Sequence, residues 1–503
     1  MPRFHRTPAS TATLAALSCG LLAALAGPAA AATFNWTNGA FVPGTTAPSP
    51  LIAADVLSIQ TAAAKSFSAV SFASAGTVNW TNSSGNLSFL SSASVASSGL
   101  WDAQGDAQLV YGGGTASTFT NSGTLRKSAG LGNTQIGNSA AFNIVNSGTV
   151  DAQTGTITFG GINTFNAGTV FTGAGSVVVN TASTFNGAFT SSNLSLASGT
   201  QTGNSASLNG QARWTAGTLE GGWSVAAGAT LNASGAGTKT LNGAAIVNSG
   251  LLAWQASSNN IGFVSNASLT NNGVLDAQGD AALVFAGGTA STVTNNGVLR
   301  KTGGTGSTVL SNSTALSFVN NGTVDVQVGT IQLPGNFGNA GTLKGSGTLQ
   351  TSGVLTNSGT LAPGSFGAGT LALTGGALAQ TGSAVFAVDL TSLSAFDLLT
   401  VAGAAALNGT LALNCLGACS FAVGDTFTIL NASSALTGSF ASVSLAGFAT
   451  GAFDVVYNRA QGDVLLRVTQ SVTAVPEPST YAMLLAGVAV LGGLAWRRRP
   501  TGY

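Results

Sequence analysis

The sequence twice reads D-A-Q-G-D-A, at Asp102–Ala107 and at Asp276–Ala281, and each copy sets two carboxylates four residues apart. Paired carboxylates serve calcium binding or general acid–base hydrolysis, with Asp102 or Asp106 as the candidate acid. The motif lacks the G-G-x-G-x-D-x spacing of calcium-binding nonapeptides and the ligand density of an EF-hand. Its duplication also fits scaffold better than a single reactive centre. His5 is the sole histidine and sits in a leader expected to be removed, which excludes Ser-His-Asp and Cys-His chemistry. Cys415 and Cys419 flank Leu416-Gly417-Ala418. Outside the cytoplasm a disulfide is the default for such a pair, with free thiols the alternative, and a metal site needs more ligands than two thiols. The expectation is a protein with no catalytic residue, no metal and no cofactor, and so not an enzyme.

A second set of charges is periodic. Three residues after a recurring glycine the chain places Asp102, Arg126 and Asp151, and later Asp276, Arg300, Asp325 and Lys344. Stacked one above another, these alternate in sign. One reading is a surface charge ladder that fixes register, each contact worth about 0.2–1 kcal/mol. The other is a stripe that binds or cleaves carbohydrate. Thr124, Thr149 and Thr323 precede their charges by two residues and share the outward row. Leu125, Val150, Leu275, Leu299 and Val324 point the other way, and a single inward column of these five is expected. An ice- or surface-binding face would want rows of Thr-x-Thr, for which Thr156-Ile157-Thr158 reads as an isolated instance.

The elements that hold these residues follow from one phrase, Asn-x-Gly-x-(Val/Leu). It begins at Asn121, Asn146, Asn166, Asn248, Asn271, Asn295, Asn320, Asn339 and Asn357. A period of roughly 20 residues marks a solenoid coil, which buries its apolar face only by stacking on neighbours. Asn-x-Gly supplies residues that tolerate positive φ, so each phrase reads as a turn followed by a strand. Gly99–Phe159 also aligns without gaps on Gly273–Leu333, at an offset of 174 residues with more than half the positions identical. A stacked rod accepts such a copied block because each coil touches only its neighbours.

Composition agrees. Only 6% of the 503 residues are charged, 44% are hydrophobic, and there are 70 glycines. That is too apolar for disorder and suits stacked strands, where like charges would repel at about 4.8 Å. Without the five terminal arginines and Glu477, 10 basic and 13 acidic residues remain, a net charge of −3 that offers nucleic acid no basic field.

In chain order, residues 1–32 read as a secretory signal peptide. Arg3 and Arg6 are followed by the apolar run Leu14–Leu25 and by Ala30-Ala31-Ala32, a signal peptidase site before Thr33. A lipoprotein cut before Cys19 is disfavoured by Ala16, where such signals carry a large aliphatic residue. Residues 33–72, with Trp36, Pro43, Pro48 and Pro50, read as an N-terminal cap, and 73–375 as about 13 coils. Residues 376–472 alternate as antiparallel strands would, at Val385–Leu390, Thr410–Leu413, Phe427–Leu430 and Val464–Val468. N-S-G-T-L-A-P-G, F-D-L-L-T-V-A-G, L-N-G-T-L-A-L and V-G-D-T-F-T-I-L in 357–445 resemble the end of autotransporter passenger β-helices. That likeness implies fold and not activity. The fold class expected is all-β, a parallel β-helix with a C-terminal β-rich cap.

At the C-terminus Pro476-Glu477-Pro478 precedes the apolar run 481–496, and Arg497-Arg498-Arg499 closes it. Sixteen residues make about 24 Å of helix, marginal for a membrane span, with the arginines held in the cytoplasm. The stretch 475–499 resembles the PEP-CTERM sorting signal. The resemblance implies a transmembrane helix in the inner membrane, cleavage by an exosortase-type transpeptidase, and delivery to the surface or exopolysaccharide matrix of a Gram-negative cell. A plain C-terminal anchor is the alternative. The reading is a structural or adhesive solenoid of the envelope or matrix, with a polysaccharide-active protein and a surface-binding protein as rivals.

Overall fold

The computed structural model describes residues 31–474, which are all-β. Most of the expected signal peptide, Pro476-Glu477-Pro478, the 481–496 run and Arg497–Arg499 lie outside them. Short strands wind into a parallel β-solenoid of about 17 turns, roughly 80 Å long at about 4.8 Å per turn. Three ladders form its sides. One runs through Thr77–Trp80, Leu100–Ala103, Thr124–Lys127 and Thr149–Ala152. The second takes Ser94–Ser97, Ser117–Asn121 and Phe142–Asn146. The third takes Leu87–Leu90, Leu109–Gly113, Asn133–Ile136 and Thr156–Phe159.

The parallel ladders reach beyond 73–375 at both ends. Thr33–Trp36 already pairs in parallel with Val56–Ile59, and that strand with Thr77–Trp80. The 33–72 stretch therefore belongs to the coils, while its loop plugs their end, with Phe41 packed 5.5 Å from Trp36 and 4.5 Å from Phe72. Downstream, Val385–Ser392 pairs in parallel with Thr410–Cys415, and that strand with Ser442–Ala446. Antiparallel order is chiefly confined to the last sheet, where Asp463–Ala474 pairs with Thr426–Ala432 and Phe448–Asn458. Alternation marks a strand but not its direction. Asn408-Gly409, a dipeptide suited to a hairpin between antiparallel strands, is instead a solenoid corner, with Gly409 at φ 76°.

The repeat phrase also works differently from its reading as a positive-φ turn. Gly123, Gly148, Gly273, Gly297, Gly322, Gly341 and Gly359 all have ordinary φ. They are glycines because the corners stack: a Cβ on any of them would collide with the carbonyl oxygen of the corresponding glycine one coil below. The phrase at Asn166 is the exception, since Gly168 has φ 88° and open space beside it.

The asparagine of the phrase ends a strand and points inward. Asn248, Asn271, Asn295, Asn320, Asn339 and Asn357 are buried, and each Nδ2 donates to the Oδ1 of the next at 2.7–2.8 Å. Asn357 closes the ladder by donating to Gln380 Oε1 at 2.9 Å. Such a ladder satisfies buried amides only when successive coils keep one register, so it specifies the stack as well as stabilising it.

Candidate functional site

The duplicated blocks do not sit one above the other. The ladder that holds Thr124–Lys127 continues upward through Thr190, Asn209, Ser207, Ser224, Val247 and Thr270 to Thr294. It thus meets Ser291–Asn295 of the second block and not Val298–Lys301. The third ladder reaches Val298–Lys301 instead, through Val178, Ser195, Arg213, Asn232, Ala253 and Asp276. The 174-residue offset is a whole number of turns plus one side, so the second block is rotated by roughly a third of a turn. Leu125 and Val150 pair in one inward column, and Leu275, Leu299 and Val324 in another. All five are buried, but not as one column.

The charges divide in the same way. Arg126 lies between Asp102 and Asp151 and donates from Nε to Asp151 Oδ2 at 3.0 Å. On the other side Asp276, Arg300, Asp325 and Lys344 are successive neighbours. Arg300 Nη2 donates to Asp276 Oδ2 at 3.0 Å, and Lys344 Nζ donates to the carbonyl of Ser365 at 3.0 Å. Asp102, Asp276 and Asp325 are buried beneath these longer side chains. A glutamine two residues on braces each carboxylate: Gln104 to Asp102, Gln153 to Asp151, Gln278 to Asp276 and Gln327 to Asp325. The recurring D-x-Q was the signal for this. Arg300→Asp is expected to cost about 2–3 kcal/mol at low salt and less at high salt. Arg300→Gln should cost about 1 kcal/mol, because Thr302 and Gln278 still donate to Asp276. Thermal melts of both variants at two salt concentrations check this. A salt-independent loss in Arg300→Asp would contradict it.

The second acid of D-A-Q-G-D-A has a partner that the sequence reading missed. Lys127 follows Arg126 and therefore points inward, where it is fully buried. Its Nζ donates to Asp106 Oδ1 at 2.6 Å, Gly105 O at 2.7 Å, Ala129 O at 3.1 Å and Thr134 Oγ1 at 3.1 Å. Lys301 repeats the box with Asp280 Oδ1 at 2.7 Å, Gly279 O, Gly303 O and Thr308 Oγ1. The lysine hydrogen bond holds the carboxyl of Asp106, and likewise that of Asp280, below the usual carboxylate range. In the second motif the two carboxylates thus serve separate ion pairs, Asp276 with Arg300 and Asp280 with Lys301, whereas in the first Asp106 pairs with Lys127 and Asp102 accepts from Gln104. No group of three His, Cys, Asp or Glu side chains among the described residues is placed to hold a metal ion.

Near the C-terminal end Cys415 and Cys419 form a disulfide, their Cα atoms 5.9 Å apart. Asp397, inside F-D-L-L-T-V-A-G, is buried and accepts the Gly369 N–H at 2.7 Å and the Asp389 N–H at 2.9 Å. Burial outweighs those two donors, and the nearby Asp389 charge adds to it, so its pKa is pushed up to about 7. A raised folded-state value means that stability is lost as pH rises from about 4 through 7. The depressed Asp106 and Asp280 act with the opposite sign, and only below about pH 4. Melting temperature should therefore fall between pH 5 and pH 8 in the parent protein. In a less stable Asp397→Asn variant it should stay level, and a level profile in the parent would refute the assignment.

The last described strand, Asp463–Ala474, is held on both sides, with Thr473 paired to Ser420 and to Thr450. Residues 474–499, beginning on its final residue, match the family described as the PEP-CTERM protein-sorting motif. The chain carries an exosortase sorting signal. The sorting motif implies export and processing by an exosortase, and its match begins on the last described residue of that paired strand. No curated protein matches the chain. Among the described residues no helix is long and apolar enough to cross a membrane.

Proposed function

We propose that this protein is a non-enzymatic structural or adhesive rod of the bacterial envelope or exopolysaccharide matrix. It would be exported on an N-terminal signal peptide, held briefly in the inner membrane by residues 481–496, and released at Pro476-Glu477-Pro478 to the cell surface. The observation that carries this reading is the sorting motif on the end of a parallel β-solenoid. Support for a scaffold comes from the carboxylates of the charge columns, which accept from arginine, glutamine and hydroxyl donors instead of converging in a cleft. The surface-binding rival gains one observation: Thr118-Phe119-Thr120 and Thr292-Val293-Thr294 also present Thr-x-Thr outward, so Thr156-Ile157-Thr158 is not isolated.

Fractionation of cells, with mass mapping of both termini, tests the proposal. The arginine tail should be absent from surface or secreted material, and recovery of chains ending at Tyr503 there would overturn it. The N-terminus has two candidate positions. The Ala32 N–H donates to Asp55 Oδ1 at 3.0 Å, and its carbonyl accepts the Val56 N–H at 2.8 Å. Cleavage after Ala31 would turn that N–H into an ammonium beside the buried Asp55 carboxylate, whereas cleavage after Ala32 would remove both contacts. Ala29-Ala30-Ala31 satisfies the A-x-A pattern as well as Ala30-Ala31-Ala32 does, so mature protein is expected to begin at Ala32, and a Thr33 start would contradict this.

A further inference from the structure

We infer that the waist of the rod holds a binding site for a carboxylate-bearing saccharide, centred on Arg213. Between the two duplicated blocks the coils shorten, and Ser183–Leu196, Thr200–Trp214 and Gly217–Val225 run round their corners almost without loops. The wider coils on either side leave a groove of about 600 Å³, bounded by Gly173–Gly175 at one end and Gln255 at the other. Its floor is the outward row Ser195, Arg213 and Asn232, flanked by Asn193 and Gln211.

Two observations point to a ligand. Of the ten lysines and arginines among the described residues, nine donate to a protein oxygen. Lys65, Lys239 and Lys344 reach carbonyls, Arg459 reaches Leu436 O and Gly438 O, and the other five are in ion pairs. Arg213 alone has no such partner, and it is exposed in this groove. Second, the lining has no acidic residue to neutralise it. Asn193 beside it gives its amide hydrogens to the carbonyls of the 172–175 corner, which fixes that side chain in the groove wall.

The chemistry selects the class of ligand. A free guanidinium offers a bidentate fork to one carboxylate. The amides and hydroxyls around it match sugar hydroxyls as both donors and acceptors. The groove has no aromatic or large apolar anchor apart from Val178 and Leu194, and a peptide partner would need such anchors. It is open along the rod, which suits a polymer segment. The site does not depend on where the protein is sorted, because binding is read on purified material.

The test is calorimetric titration of the exported protein with oligogalacturonate, with neutral cellohexaose and poly-glutamate as comparison probes, at low and high salt. Oligogalacturonate should bind, weakening with salt, and cellohexaose should bind at least tenfold more weakly. Arg213→Gln should lose about tenfold or more, the scale of one charge-assisted contact, with melting unchanged. Arg467→Gln, which removes a cation outside the groove, should bind as the parent does. The inference fails if Arg213→Gln binds uronate as the parent does, if no uronate binds at millimolar concentration, or if poly-glutamate competes equally through Arg213. None of these outcomes touches the export reading, which fractionation alone decides.

Discussion

Asp280→Ala is expected to cost about 3–5 kcal/mol, more than Lys301→Met in the same ion pair. The asymmetry follows from where the charges sit. The Lys301 side chain is 0% exposed while that of Asp280 is 39% exposed. Removing the carboxylate strands an ammonium that no water reaches and leaves it with only carbonyl and hydroxyl oxygens. Removing the ammonium leaves a carboxylate that water solvates and that the Gly306 N–H still contacts at 2.9 Å. Methionine fills the vacated channel, Thr308 keeps its bond to Gly279 O, and the loss should be about 1–2 kcal/mol. Denaturant midpoints, with hydrogen exchange over residues 302–308, separate the two variants. Equal losses would mean that the carbonyls alone hold the lysine. Lys65 is a natural example of that arrangement: it is buried with Thr61 O and Ala63 O and no acid in contact, and desolvation lowers its pKa.

Gly297→Ala is expected to cost about 3 kcal/mol or more, although one methyl is a small change and φ at this residue is unstrained. The new Cβ would strike the carbonyl oxygen of Gly273, just as a Cβ on Gly322 would strike that of Gly297 one coil above. The clash is backbone against backbone, so no rotamer relieves it and two coils must separate. Separation would stretch the Asn271–Asn295–Asn320 amide ladder beside it. Asn296→Ala, one position earlier, is the control. Asn296 is exposed, its bonds to Asn272 and Asn321 lie at the surface, and its loss should stay within about 1 kcal/mol. Hydrogen exchange should show protection lost over the coils around residue 297 and retained near Leu125, because a solenoid transmits damage mainly to neighbours. Uniform loss along the chain, or none, would contradict the stacked-corner account.

Much of the architecture was legible without coordinates. The period of the Asn-x-Gly phrase named a solenoid, alternation assigned Leu125 and Leu299 inward and Arg126 and Arg300 outward, and the C-terminal motif stood complete in the residue order. These are local properties, set by side-chain alternation along a strand and by spacing along the chain. The roles of Asn295, Gly297 and Lys301 were not legible in this way. Whether an asparagine closes a strand or opens a turn depends on where the corner falls. A glycine kept because a carbonyl lies beneath it looks the same in sequence as one kept for its φ.

The relation between the duplicated blocks belongs to the same class. The 174-residue offset shows that a block was copied, but position on the rod is counted in sides and not in residues. The shortened coils between Ser183 and Val225 change the number of residues per side. Only the completed winding therefore decides that Arg126 and Arg300 lie on different sides, and that Arg213 shares a side with Arg300 and not with Arg126. Sequence specifies each coil through short-range sterics, whereas the rotation between coils accumulates every corner, and that sum exists only in the folded stack.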